Sequence, residues 1–178
     1  MIGLPGPATK SLRAGGYLGG QIAMAVSHPD PSHLPRTLVL GIGNALLTDE
    51  GAGIHVLNFL VDHYPGLPGV EYLDGGTLSF ALAAPIEDAD HLIVIDAAQL
   101  HGPPGTVRCF EGEAMDRQLG TARLSVHEVG LVDLMDMVRL AGHLPQRRAL
   151  VGIQPQILAE WNEHLTDSVA EAVPLAAG

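Results

Sequence analysis

The run "HLIVIDA" at residues 91–97 constrains the fold more than any other stretch. Leu92, Ile93, Val94 and Ile95 follow one another with no polar residue between them. A strand with one wet face alternates apolar and polar residues, so an unbroken aliphatic run of this length predicts a strand covered on both faces. Such strands belong to parallel sheets packed between layers of helix. Four more segments read as strands: "TLVLG" (37–41), "VEYLDGG" (70–76), "GTVRCFEG" (105–112) and "ALVGIQP" (149–155). Helical patterns fall between and after them. "GAGIHVLNFLVDHY" (51–64) puts Ile54, Leu57, Val61 and Tyr64 on one face and His55, Asn58 and Asp62 on the other. "LSFALAAPIED" (78–88) is a short helix, capped by Thr77 and disturbed by Pro85. "SVHEVGLVDLMDMVRLAG" (125–142) opens on a Ser125–Glu128 capping box, buries Leu131, Leu134, Met135 and Val138, and stops at Gly142 and Pro145. "LTDSVAEAVPLA" (165–176) is a terminal helix with Thr166 or Asp167 as its cap.

The expected fold is therefore α/β: an open, mainly parallel twisted sheet of about five strands with helices on both faces. Only about ten residues separate 91–97 from 105–112, the lower limit for a helical crossover, so 105–112 is expected to pair antiparallel at an edge. Residues 1–35 differ from the rest. Their glycines and prolines leave no helix or strand period, which reads as a flexible extension before a single domain at 36–178. Lys10 and Arg13 precede "AGGYLGGQIAMAV", the pattern of a signal peptide, but four glycines weaken its apolar region.

The formal net charge is −11 and there is one lysine. Phosphate contacts need cations, so nucleic acid is excluded as a partner. No apolar run is long enough to span a membrane, and a monomer in the cytoplasm is expected. The lone Cys109 allows no internal disulfide and no cysteine-rich zinc site. "LVLGIGN" begins like a dinucleotide loop, but Asp49 and Glu50 follow where a pyrophosphate would sit. No Lys or Arg lies between Arg36 and Arg108 to offset them, which argues against a nucleotide-binding domain. There is no G-x-S-x-G to anchor a serine hydrolase.

Ligands of open α/β sheets bind at the carboxyl ends of the strands. Four polar residues are expected there: Glu50 after the first strand, Asp74 after the second, Asp96 closing the third, and His127 in the first turn of the helix at 125–142. A helix N-terminus favours an ionised Glu50 and a neutral His127. Two carboxylates and a neutral imidazole make a set for a divalent metal with open positions left over. Each residue also has an ordinary alternative. Glu50 can satisfy a helix start, Asp96 can cap a loop, His127 can be solvated, and Asp74 can be a turn residue.

The segments "LVLGIGNALLTDEGAG", "LDGGT", "HLIVIDA", "SVHEVGL" and "LVGIQP" occur in that order over about residues 36–155. This ordered set resembles the hydrogenase maturation endopeptidases, the dedicated proteases of nickel–iron hydrogenases. The resemblance has no counterpart for the first 34 residues, and "HLTDSV" stands where Leu-Ser/Thr-Pro-x-Val is more usual. It implies an endopeptidase, often classed as aspartic-type, that removes the C-terminal extension of a hydrogenase large-subunit precursor after nickel insertion. The pepsin-like Asp-Thr/Ser-Gly pair is absent. By motif, Glu50, Asp96 and His127 are expected to engage nickel that arrives with the substrate, with no permanently bound cofactor. Asp74 or Asp96 is expected as general base. Gly41, Gly43, Asn44, Asp49, Gly75, Gly76 and Thr77, in the two glycine loops, are expected to line the substrate, with Gly41 and Gly43 letting the chain turn tightly off the strand and making room for the approaching chain. The alternative on the same fold is a non-catalytic, nickel-dependent assembly chaperone.

Overall fold

The computed structural model describes residues 34–77, 80–121 and 126–178, and the side chains of 120–129 lie outside that description. Five strands form one sheet: β1 (Thr37–Gly41), β2 (Val70–Asp74), β3 (His91–Ala97), β4 (Val107–Glu111) and β5 (Arg147–Ile153). Their spatial order is β2-β1-β3-β5-β4. β1 pairs parallel with β2 and β3, and β3 pairs parallel with β5. β4 is the expected antiparallel edge, and it pairs with β5. The helices are α1 (Ala52–His63), α2 (Ala83–Glu87), α3 (Glu113–Thr121), α4 (Val126–Leu140) and α5 (Asp167–Ala177).

Side-chain alternation along the strands feeds two cores. Leu38, Leu40, Leu92, Val94 and Leu150 pack with Ile86, Met115, Leu131, Leu134, Met135 and Val138 on the face covered by α2, α3 and α4. Val39, Ile95 and Ile153 pack with Val56, Leu57, Val169 and Ala172 on the face covered by α1 and α5. Leu92, Val94 and Ile95 are each at most 1% exposed, so β3 is covered on both sides, as its composition demands. The α4 stripe expected from period is buried at all four positions. Ser125 of the expected capping box, and Leu78 and Ser79 of the expected second helix, lie outside the described residues, as does the extension through residue 33.

Two details differ from expectation. α1 buries Ala52, Gly53, Ile54, Val56 and Leu57, so Ile54 and Leu57 of the expected face are inside, whereas Val61 and Tyr64 are exposed. The helix leans its N-terminal half into the sheet against α5, and its last turn projects beyond the core. α3 was not anticipated. Met115 and Leu119, four residues apart, anchor it, and the exposed pair Glu113–Arg117 lies along its outer face at 3.5 Å. Arg148 of β5 fixes α3 in place by donating from Nε (3.0 Å) and Nη2 (2.6 Å) to the two oxygens of Asp116.

Candidate active site at the carboxyl edge of the sheet

The strand order reverses between β1 and β3. From β1 the chain winds out to β2, then crosses back to β3 on the other side. Such a switch point leaves a crevice above the carboxyl ends. Ile42 extends the pairing by donating its N–H to the Ile95 carbonyl at 2.9 Å. The chain then loops and re-enters through a 3-10 turn, Thr48–Gly51, that runs straight into α1. This turn carries Glu50, which is half-buried. Gly53 beds the start of α1 on both strand ends: a Cβ there would stand 2.2 Å from the Ile95 carbonyl oxygen and 2.3 Å from that of Ile42. Ile95 immediately precedes Asp96, so the strand end that receives α1 is the one that carries Asp96.

Asp96 is 3% exposed and is paired in register with Gly152 of β5. Alternation from Leu92 and Val94 puts it on the α4 face of β3. His127 falls in the first turn of α4, and its side chain lies outside the description. Asp74 ends β2 level with Gly41 and is exposed. Its Oδ1 accepts from the Gly76 N–H at 2.8 Å, an Asx turn. Glu50, Asp74 and Asp96 thus share the carboxyl edge, as expected. Among the described residues, no three His, Cys, Asp or Glu side chains form a group that could hold a metal ion.

The glycine-loop expectations need correction. A Cβ on Gly41 would lie 2.7 Å from the Gly53 carbonyl oxygen and 2.8 Å from Leu57 Cβ. One on Gly43, whose φ is +134°, would lie 1.9 Å from the Glu50 carbonyl oxygen. One on Gly75 would lie 2.9 Å from Leu40 Cδ1. The space these glycines leave is filled by the protein's own α1, Glu50 turn and β1, not by an approaching chain. Asn44 uses its side-chain oxygen within its own loop, accepting from the Leu46 N–H at 3.0 Å. Gly76 closes the two loops on each other, accepting from the Gly43 N–H at 2.9 Å. Thr77 is exposed at this edge.

Asp49 departs furthest from expectation. It is fully buried, and both of its oxygens face the segment between β5 and α5. Oδ2 accepts from the N–H groups of Gln156 (2.8 Å) and Ile157 (3.0 Å), and Oδ1 from that of Thr166 (2.8 Å). The Thr166 hydroxyl lies 3.0 and 2.9 Å from the two oxygens. Thr166 does occupy the N-cap of α5, but its hydroxyl faces Asp49 and makes no capping bond. The same segment meets the loop after β1 again. Thr48 donates from N–H to the Asn162 carbonyl and from Oγ1 to the Glu160 carbonyl, each at 2.7 Å, and the Asn162 N–H donates to Leu46 at 3.0 Å. None of these partners was anticipated, because they lie more than a hundred positions apart in sequence.

Two clefts, of about 610 and 200 Å³, open at the other end of the sheet, where Thr37 lines both. They adjoin the strand starts at Arg36, His91 and Arg147 and share no residue with the carboxyl-edge set.

Comparison with known proteins decides the family. The model of the hydrogenase maturation protease family matches residues 54–178. The chain belongs to the hydrogenase maturation protease family. It is 35% identical over 154 residues to the hydrogenase expression/formation protein HupD of Rhizobium leguminosarum bv. viciae, covering 86% of this chain and 76% of that one. It is 39% identical over 124 residues to the hydrogenase 2 maturation protease of Escherichia coli, covering 69% and 75%. Against several other relatives, such as HoxM of Azotobacter vinelandii and HupD of Thiocapsa roseopersicina, it spans slightly less than two thirds of their length, 65% and 63%. The solved structure of the hydrogenase maturating endopeptidase HybD of Escherichia coli superposes with a TM-score of 0.74 at 36% identity, over 80% of this chain and 87% of that one. The five-stranded mixed sheet is thus the fold of hydrogenase maturating endopeptidases, and the relatives that share it are peptide-bond hydrolases.

Proposed function

We propose that the protein is an endopeptidase that removes the C-terminal extension of a nickel–iron hydrogenase large-subunit precursor once nickel is in place. The observation that carries this reading is the convergence of Glu50, Asp74 and Asp96 on one sheet edge, together with family membership. Glu50 and Asp96 supply carboxylates from the two strands that flank the switch point, and His127 begins the helix that leads into β5. Carboxylate oxygen and imidazole nitrogen suit a borderline divalent ion such as nickel. The metal is substrate: it arrives bound in the precursor, and these three side chains complete its surroundings. An empty precursor lacks those contacts, and this difference in affinity serves as the checkpoint. Hydrolysis then needs a base for water, a role for Asp74 or Asp96. Thr77 borders the approach of the tail. The enzyme works as a cytoplasmic monomer on this reading; its single cysteine is in keeping with a reducing compartment.

The test is processing of a nickel-loaded precursor by Glu50→Ala, Asp96→Ala and His127→Ala, followed by mass spectrometry of the large subunit. Each variant should fold and leave the extension attached. Normal cleavage by all three refutes the site. Complex formation by the unmodified enzyme without loss of the C-terminal peptide would instead identify a chaperone.

A further inference from the structure

We propose that Asp49 is a positioning residue: it clamps residues 154–166 onto the Thr48–Gly51 turn and so holds Glu50 in place. The proposal rests on the reading of Glu50 as a contact to the substrate's metal.

Glu50 is confined from two sides. Beneath it, Gly43 comes so close that a single methyl there would overlap the Glu50 carbonyl oxygen. Gly51 is similarly tight, with a Cβ 2.8 Å from Ala45 Cα. Above it, the 154–166 segment is bound to Thr48 and Asp49, the two residues just before Glu50. Thr48 has φ +40°, an unfavourable left-handed value for a β-branched residue. Such strain persists only where the surroundings over-determine it. Here the surroundings are the two 2.7 Å bonds from Thr48 to Asn162 and Glu160. The turn that presents Glu50 is therefore held against its own backbone preference by a segment from the other end of the chain.

Asp49 is what makes that hold strong. A buried carboxylate is tolerated only when its oxygens are satisfied, and backbone N–H donors to an ionised acceptor are among the stronger hydrogen bonds. Three N–H groups and a hydroxyl converge on it. One of those N–H groups belongs to the N-cap of α5, where the helix dipole adds to the attraction. An amide in its place cannot serve. Whichever way the side-chain amide of an Asp49→Asn variant lay, its NH₂ would face at least one of these N–H donors. Adjacent carboxylates thus divide the work: Asp49 is buried and sets the geometry, and Glu50 stands half-buried at the carboxyl edge.

The experiment compares the unmodified enzyme with Asp49→Asn, Glu50→Gln, the double variant and the milder Thr166→Val. Two properties are read: amide hydrogen exchange in the free enzyme, and affinity for nickel-loaded and empty large-subunit precursor. Asp49→Asn should speed exchange at Gln156, Ile157 and Thr166, and also at Thr48 and Glu50, by about tenfold or more. It should weaken binding of the loaded precursor by a similar factor and leave binding of the empty one unchanged. Combined with Glu50→Gln, it should weaken loaded-precursor binding no further than Glu50→Gln alone. Thr166→Val keeps the backbone bond and should move each reading in the same direction by less. Should loaded and empty affinities fall together, or the two substitutions add, Asp49 is merely structural and the proposal fails. Unchanged exchange at Thr48 and Glu50 also overturns it. If Glu50→Gln by itself leaves loaded-precursor affinity intact, the metal-contact reading fails instead, and the exchange data still decide the clamp.

Discussion

Replacing Gly43 by alanine separates two costs that the carboxyl edge combines. The first is conformational. At φ +134° an L-residue is strongly disfavoured, with a cost of about 1–3 kcal/mol. The second is displacement. The new Cβ would stand 1.9 Å from the Glu50 carbonyl oxygen, whereas ordinary carbon–oxygen contacts begin near 3.3 Å, so the two backbones must part by about 1.4 Å. Neither side yields easily. Gly43 is bonded through its N–H to Gly76, and the preceding Ile42 to Ile95. The Glu50 side is held by Thr48 and Asp49 and by the bedding of Gly53 on the strand ends. Relieving the overlap adds about 1–3 kcal/mol. Together these predict a melting temperature lower by roughly 4–24 °C for a chain of this size.

The enzyme should still fold, but Glu50 should move by an appreciable fraction of that 1.4 Å, and a misplacement near 1 Å costs on the order of a hundredfold in rate. Cleavage of nickel-loaded precursor, assayed well below the melting transition, should fall accordingly. Gly66→Ala is the control. Gly66 also has a left-handed φ, +69°, but a Cβ there meets nothing within 4 Å. It should cost about 1–2 kcal/mol and leave cleavage unchanged. Near-normal cleavage by Gly43→Ala would refute the placement of Glu50 against Gly43. An equal loss in Gly66→Ala would show that global stability, not position, governs activity.

Two further predictions concern pH. Burial, aided by the charge of nearby His164, holds the His55 imidazole below its ordinary value against an opposing hydrogen bond that the ring donates to the Glu163 backbone, and its Nε2 is buried without a hydrogen-bond partner. As pH falls below 6.5 the unfolded His55 takes up a proton that the folded one resists, so stability declines until the folded group titrates. His55→Gln should flatten the melting temperature between pH 7 and pH 5, and an unchanged slope would sink this account. Asp116 is shifted the other way: its hydrogen bonds to Arg148 hold it below the usual carboxylate range, against desolvation. Its contribution is complete above pH 3.8 and disappears as pH drops through the folded value. Arg148→Met should cost about 1–3 kcal/mol at neutral pH and flatten the acid limb of the melting curve, measured by circular dichroism. A curve parallel to that of the unmodified protein would argue against it.

How much of this was legible beforehand follows from the range of each interaction. The strands, the antiparallel edge and the α4 stripe are written in local hydrophobic order, and tertiary packing agrees with it: Leu92, Val94 and Ile95 are buried, as are Leu131, Leu134, Met135 and Val138. The shared edge of Glu50, Asp74 and Asp96 follows from strand direction alone, since each lies at or beyond a carboxyl end. α1 shows where period stops being enough. Val61 and Tyr64 continue the Ile54–Leu57 stripe, yet they are exposed, because the layer ends before the helix does.

The glycine loop shows a second limit. Tightness in "LGIGN" is visible from composition, but not what presses against it, and the answer turned out to be the protein's own Gly53 and Glu50. Asp49 and Glu50 are the sharpest case. Nothing local distinguishes two adjacent carboxylates in one 3-10 turn. The donors that draw Asp49 inward come from Gln156, Ile157 and Thr166 and converge only after β5 has been placed beside β3. Thr48 and Asp49 both turn to the segment between β5 and α5, so the backbone just before Glu50 is fixed by contacts that no local pattern announces. The burial of Asp49 therefore fixes the backbone from which Glu50 springs at the carboxyl edge.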